Sequence, residues 1–177
     1  RETLTPWRAV VELLRLDRIA PHHPYFRRFH QFESEPVKGN VEVPTVSGAF
    51  MMIRKDAYER LDGMDETFFL HFDDADICMR VWKEGGQVIF CGDIPILHYK
   101  SSSDVSQIFV EWHKAKGLGY FFRKHFGDTY PGWSLSIVST MVWLRFFAIL
   151  PHRLFSDLPG MIRRNRRRHG GQNSAKG

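Results

Sequence analysis

Three aspartates crowd the stretch Asp73-Asp74-Ala75-Asp76, directly after the run Phe68-Phe69-Leu70-His71-Phe72, and they are the side chains best suited to acid–base chemistry. Over Asp65 to Asp76 five of the twelve residues are acidic, while Phe68, Phe69, Leu70 and Phe72 are of the kind that bury. That mixture puts the carboxylates on a cleft wall. A helix starting at Asp73 favours each ionised carboxylate by about 0.3–1 kcal/mol through its exposed amides and dipole. Crowding three of them opposes that gain and raises at least one pKa unless a cation shares the site. The cluster therefore reads as a general base near its working pH or as half of a metal site. The plain alternative is an acidic helix start in which one Asp caps and the others are solvated, and the tetrapeptide alone favours it. A calcium loop is excluded, because the D-x-D-x-D-G frame is absent.

The elements that must position this cluster follow from the patterning around it. Residues 6 to 20 carry a helical pattern, with Pro6 in the first turn, Val10, Leu13, Leu14 and Leu16 as its apolar stripe and Pro21 closing it. His22 to Gly39 has no period and reads as an irregular connector, partly packed down, in which Phe26, Phe29 and Phe32 recur at threes. His22, His23 and His30 have no acidic or Cys partner at metal spacing, which favours a solvated loop. Val41 to Val46 is strand-like, with Pro44 marking an edge or a bend. Ser47-Gly48-Ala49 interrupts it before Phe50 to Ile53 resumes as an apolar strand. Small residues there suit either a close backbone approach or a simple β-bulge.

Lys55 to Leu61 makes a short helix ended by Gly63. Asp73 or Asp74 is the expected cap of the next helix, whose buried stripe is Ile77, Cys78, Val81 and Trp82 and whose stop is Gly85-Gly86. Gln87 to Cys91 and Ile94 to Tyr99 are strand-like around a Gly92-Asp93 turn, and His98 ends the second. The polar loop Ser101 to Asp104 then leads into a helix over Val105 to Phe126, weakened in its middle by Gly117 and Gly119.

Composition sets the outer bounds. With 177 residues, 43% hydrophobic, the chain is long enough for one folded unit with a real core. The net charge of +5 is concentrated at one end, where six Lys or Arg and no acid follow Pro159. The remainder holds nineteen basic and twenty acidic residues, so the body is nearly neutral and the tail is basic. Cys78 and Cys91 match neither a zinc spacing nor a disulfide framework and read as buried thiols in a reducing compartment. Arg1 to Arg18 is too charged for a signal peptide, and the chain begins without Met, as a fragment or a processed product would.

The run from Val46 to His98 resembles the second half of the inverting family 2 glycosyltransferases of GT-A fold, in particular the rhamnosyltransferase-like subgroup that builds bacterial surface polysaccharides. The residues carrying the likeness are Val46-Ser47-Gly48-Ala49-Phe50-Met51-Met52-Ile53-Arg54-Lys55, the helix and turn through Gly63, Asp65 to Arg80, the Lys83-Glu84-Gly85-Gly86 turn and His98. The resemblance implies that Asp73-Asp74 is the family's acidic pair, with Asp74 the general base for the acceptor hydroxyl. It implies that Asp76 orients the helix or the acceptor and that Ser47, Gly48 and Ala49 line the acceptor side. His98 stands where some members place a metal ligand, for Mg²⁺ or Mn²⁺ held with nucleotide phosphates. Lys116 and His113 are candidate phosphate-binding groups, with an exposed helix face as the simpler reading of both.

The chain departs from that family upstream. The 72 residues before Asp73 contain no D-x-D, no glycine-rich turn and no parallel strand-helix alternation. The expected fold class is therefore α/β, an incomplete GT-A type representing the acceptor-side half, with a C-terminal apolar helix. Such a half neither binds a nucleotide sugar tightly nor turns over alone.

Trp133 to Leu150 is a mainly apolar run close to the length of a spanning helix, flanked by Pro151 and the basic run Arg163 to Arg168. A helix lying in or dipping into the cytoplasmic leaflet is favoured over a true span, with a buried core helix as the alternative. No element that reads bases accompanies the arginines, so nucleic acid is not an expected partner. The expected organisation is an N-terminal helix and connector over 1–40, the acceptor-side half over 41–130, a membrane-associated helix over 131–155 and a basic disordered tail over 156–177. The expected partners are a nucleotide sugar, a lipid-linked glycan acceptor and the cytoplasmic membrane surface. The alternative is a catalytically inactive interaction module that retains only the acceptor half.

Overall fold

A computed structural model describes residues 2–19, 23–26, 29, 37–97 and 105–173, with side chains described through residue 154. Pro21, His22, His30, Phe32, His98 and the loop 101–104 lie outside the described residues. Five α-helices and a two-stranded sheet make up the described fold.

Helix α1 (Pro6–Leu14) starts as its sequence dictates, with Pro6 in the first turn and the Thr5 hydroxyl accepting the Arg8 amide at 3.2 Å. It ends earlier than expected. Arg15 turns left-handed at φ 53° and a 3₁₀ turn over Leu16–Arg18 follows. The buried face also differs: Ala9 and Val11 are buried and Leu14 is 54% exposed. Packing against a distant helix, rather than the local stripe of larger residues, selected that face. The connector is packed onto α1 where it is described. Trp7 donates through Nε1 to the Tyr25 carbonyl at 2.8 Å, Phe29 is buried, and His23 is exposed.

The sheet is smaller than the four expected strands. Strand β1 (Asn40–Glu42) pairs antiparallel with β2 (Ile89–Cys91) in the register Val41 to Phe90, and the Val43 amide extends the ladder to the Val88 carbonyl at 2.9 Å. Residues 50–53 and 94–97 are not strands, since no described neighbour offers them a ladder. The Gly92-Asp93 turn folds back on the start of β1 instead of opening a hairpin. There the Gly92 amide donates to the Gly39 carbonyl at 2.8 Å and the Asp93 carboxylate accepts the Gly39 amide at 3.0 Å.

Helix α2 (Lys55–Arg60) closes through Gly63, at φ 70°, whose amide donates to the Tyr58 carbonyl at 2.9 Å. Helix α3 (Asp73–Lys83) is entered from two successive left-handed residues, His71 at φ 65° and Phe72 at φ 68°. Phe72 therefore holds the capping position without a side-chain bond, and Asp73 and Asp74 are already helical, which corrects the expected Asp cap. The buried positions of α3 are Ala75, Asp76, Ile77 and Cys78. Trp82 is 38% exposed and reaches the Pro44 carbonyl with its indole N–H at 3.2 Å. Cys91 is exposed, contrary to the expected buried thiol, because β2 is a strand without cover.

Helices α4 (Gln107–Phe126) and α5 (Gly132–Asn173) form a hairpin across the turn 127–131. Phe121 and Phe122 of α4, at 0% and 1% exposure, centre a core completed by Leu135 and Val138 of α5, Phe68, Ala75, Leu4, Ala9 and Phe29. Burying a Phe of this kind contributes roughly 1.5–3 kcal/mol. The two glycines of α4 mark close approaches rather than weakness alone. A Cβ on Gly117 would stand 3.1 Å from the Phe72 ring, and one on Gly119 would stand 3.3 Å from Ser139 of α5. The backbone of α5 is helical past residue 155 as far as Asn173, with Pro151 and Pro159 inside it.

Candidate functional site

The left-handed pair His71-Phe72 is the hinge on which the site is built. Those φ values, in residues other than glycine, store strain that the surrounding packing must hold in place. Phe72 is pinned by α4 at Gly117 and by the Phe121 ring at 6.4 Å between centroids. The turn aims the first residues of α3 at the segment 47–49. The Asp74 Oδ2 accepts the Gly48 amide at 3.0 Å, and its Oδ1 accepts the Ala75 amide at 2.9 Å. A Cβ on Gly48 would lie only 3.3 Å from that of Asp74, so the absent side chain permits the contact. Ser47, Gly48 and Ala49 are exposed beside it, and the Ser47 hydroxyl accepts the Ala49 amide at 3.4 Å. Two segments that the sequence reading placed in one site are thus in contact, and Ser47-Gly48-Ala49 is a close approach rather than a bulge.

Asp76 has a different setting. It is 0% exposed, and its Oδ1 lies 2.7 Å from both Lys124 Nζ and His125 Nε2 while its Oδ2 accepts Arg80 Nε at 2.7 Å. No acceptor sugar can touch it there, which corrects its assignment as an acceptor-binding residue. Arg80 in turn donates to the carbonyls of Leu61 and Gly63 at 2.6 and 2.8 Å, tying α3 to the end of α2. Lys124 also bonds Asp65 Oδ2 at 2.6 Å, where the Tyr120 hydroxyl donates at 2.9 Å. Burial pushes the Asp76 carboxyl up, but hydrogen bonds from His125 and Lys124 and the charge of Arg80 outweigh it and hold its pKa below the ordinary value. Asp65 behaves alike: burial opposes ionisation, and bonds from Lys124, Thr67 and Tyr120 prevail and hold it well below the carboxylate range. Burial lowers the Lys124 pKa and its two carboxylate partners more than reverse that, leaving it raised.

His71, Arg80, Tyr120, Lys124 and His125 carry this arrangement and were not singled out from the sequence. His71 lay inside the acidic stretch and could have been found by its position. The others stand forty or more residues from their partners or on an unremarkable helix face. Partial burial lowers the His71 pKa, as does the charge of Lys114, while Asp74, Asp73 and Glu111 pull it upward; the net shift is down. That direction favours the uncharged imidazole.

Of the phosphate-binding candidates, Lys116 is exposed on α4. His113 packs its ring against Phe109 and Phe69, at 4.3 and 4.7 Å between centroids. A cavity of about 260 Å³ lies against the Ala75, Met79 and Trp82 face of α3, lined also by Leu4, Pro44 and Phe121. It contains no carboxylate and is separate from the Asp74 edge. Among the described residues no three His, Cys, Asp or Glu side chains converge to hold a metal ion. Each Asp74 oxygen accepts one amide hydrogen.

Comparison with known proteins finds distant similarity to rhamnosyltransferases. The chain is 27% identical over 116 residues to N-acetylglucosaminyl-diphospho-decaprenol L-rhamnosyltransferase of Mycobacterium tuberculosis, in strains CDC 1551 and H37Rv, covering 64% of this chain and 35% of that protein. It is also 27% identical over 93 residues to Rhamnosyltransferase WbbL of Escherichia coli K12, covering 51% of this chain and 35% of that protein. The chain thus spans about a third of the length of these curated relatives. No family model and no solved structure matches. A mixed fold of helices with a small two-stranded sheet is compatible with part of a glycosyltransferase domain, and the distant similarity to rhamnosyltransferases extends over about half of the chain.

Proposed function

We propose that this chain is the acceptor-side part of an inverting, family 2 glycosyltransferase of GT-A type that transfers a sugar from a nucleotide donor to a lipid-linked glycan at the cytoplasmic face of a membrane. The contact of the Asp74 carboxylate with the Gly48 amide at 3.0 Å carries this reading. It joins the acidic helix start to an exposed small-residue segment, in a chain similar to rhamnosyltransferases.

In this mechanism Asp74 takes the proton of the acceptor hydroxyl as its oxygen attacks the anomeric carbon, and the nucleotide diphosphate departs from the opposite face in one displacement. The Gly48 and Ala75 amides fix the carboxylate rotamer, so the base is oriented before substrate arrives. Asp73 flanks it. The donor and a divalent ion belong to this proposal through the resemblance, with His98 as candidate ligand, and no step here is derived through the ion.

The test is Asp74→Asn in the full-length protein, measured with a nucleotide-sugar donor and a lipid-linked acceptor. The expected result is a loss of about 10²–10⁴ in kcat with KM little changed. Unchanged turnover would remove Asp74 from its role, whereas no turnover by the unsubstituted full-length protein would favour the inactive interaction module.

A further inference from the structure

Helix α5 has two apolar faces, and only one is covered. Leu135, Val138, Val142 and Phe146 are buried, whereas Trp133, Ile137, Leu144 and Phe147 are 68%, 52%, 63% and 58% exposed. The outward residues recur at spacings of three, four and seven, so they form one stripe along the helix. The stripe continues onto α4. Trp143 lies 6.2 Å from Phe147 and 4.9 Å from Trp112, between ring centroids. One turn along α4 from Trp112, Phe109 meets Phe69 at 5.7 Å, and Phe69 is 69% exposed. Phe69 belongs to the segment that leads into the His71-Phe72 turn and Asp74. An exposed aromatic ribbon thus runs from α5 to the edge of the acidic site.

We propose that this ribbon is a bilayer-docking surface on which α5 lies in the membrane plane, with the arginines of 163–168 on anionic headgroups. Residues 132–154 of α5 are long and apolar enough to cross a membrane by length and composition alone. The tertiary structure argues for lying flat. α5 packs along α4 from Ser139, beside Gly119, to Arg153, which bonds Gln107. Between them Arg145 pairs with Glu111 at 3.2 Å, and Lys114 pairs with the same carboxylate at 3.4 Å. A spanning α5 would take α4, with Glu111, Lys114 and Lys116, into hydrocarbon, where each charge costs several kcal/mol. Lying flat, the helix immerses the outward stripe by roughly 5–10 Å and leaves α4's charges in water. Trp112, Trp133 and Trp143 are the residue type enriched at that interface. Five arginines at 163, 164, 166, 167 and 168 continue the same helix, and they complement an anionic lipid surface.

This surface stands apart from catalysis, because lipid binding requires no turnover. The experiment is flotation of the chain with phosphatidylglycerol–phosphatidylcholine vesicles and with pure phosphatidylcholine vesicles, read alongside tryptophan emission, alkaline carbonate extraction and light scattering. The chain is expected to float with the mixed vesicles, shift its tryptophan emission to the blue and be released by carbonate. Leu144→Ser with Phe147→Ser, both exposed positions, should weaken binding about tenfold or more per residue with the far-ultraviolet circular dichroism unchanged. Arg163→Gln, Arg164→Gln and Arg166→Gln should each cost about fivefold on mixed vesicles and nothing on pure phosphatidylcholine. Wild type left at the bottom of both gradients, variants that bind as wild type, or resistance to carbonate would each overturn the proposal. So would a dimer that the Leu144/Phe147 variant dissociates in a chain that vesicles fail to capture. Asp74→Asn should float normally, which separates failure of this surface from failure of the transfer reading.

Discussion

Asp74 and Asp76 stand two residues apart in one helical turn, yet one edges an open site and the other is sealed in the core. At about 100° per residue, two positions separate their side chains by roughly 200°, so a helix packed on one side must divide them. Asp74 meets two backbone amides, and Asp76 meets Arg80, Lys124 and His125. An acidic cluster is therefore not one functional unit. The buried aspartate holds the strained turn in place, and the edge aspartate is what the turn presents.

The contrast breaks hardest at Asp76. Asp76→Ala leaves buried His125 and half-buried Arg80 without their carboxylate and Lys124 with Asp65 alone, and should cost about 3 kcal/mol, read as a lowered urea midpoint. Asp74→Asn keeps an acceptor for only one of the Gly48 and Ala75 amides and turns its NH2 on the other, so at this partly exposed edge it should cost about 1 kcal/mol, well below the loss at Asp76. Equal losses at the two positions would erase the distinction between them.

Acid should act through the interior first. The folded pKa values of Asp65 and Asp76 lie below their unfolded values of about 3.9, so their stabilisation is fully present above that pH and is lost as pH falls through the lower folded values. Circular dichroism should show helix loss beginning below about pH 4. Lys124 works in the opposite sense. Its folded pKa is raised, so its contribution is complete below about 10.5 and fades as pH climbs through the folded value.

Gly48→Ala sharpens the edge. Its Cβ, 3.3 Å from that of Asp74, must displace the carboxylate by a few tenths of an ångström at a cost of about 1 kcal/mol. Transfer by the full-length protein should fall more than thermal stability does. The smallest effect concerns the thiols: maleimide should label exposed Cys91 rapidly and buried Cys78 only on unfolding, as counted by mass spectrometry.

Much of the site was legible because its signals are local. The Gly63 stop of α2, the start of α3 near Asp73 and its end at Gly85 follow from residues adjacent in the chain. Acidic side chains beside a run of Phe residues marked a charged edge over a core; Phe68 is buried there, whereas Phe69 of the same run is 69% exposed. The strands at 50–53 and 94–97 were misread because an apolar run specifies neither burial nor a hydrogen-bonding neighbour: Phe50, Met52, Ile94 and Leu97 are exposed, and no described strand pairs with them. The capping assignment failed because left-handed His71 and Phe72 are held by α4, forty-five residues further on.

By itself the sequence determined where helices begin and end near Gly, Pro and Thr, which residues were acidic enough for base chemistry, and that a long apolar helix precedes a basic run. Backbone sterics and short-range hydrogen bonds set these features, and they act over a few residues. Only the tertiary structure decided which aspartate is a candidate base and which is a strut, since that depends on the side of α3 against which Lys124 and His125 pack. It likewise decided that half of α5 is covered, leaving the other half to face outward.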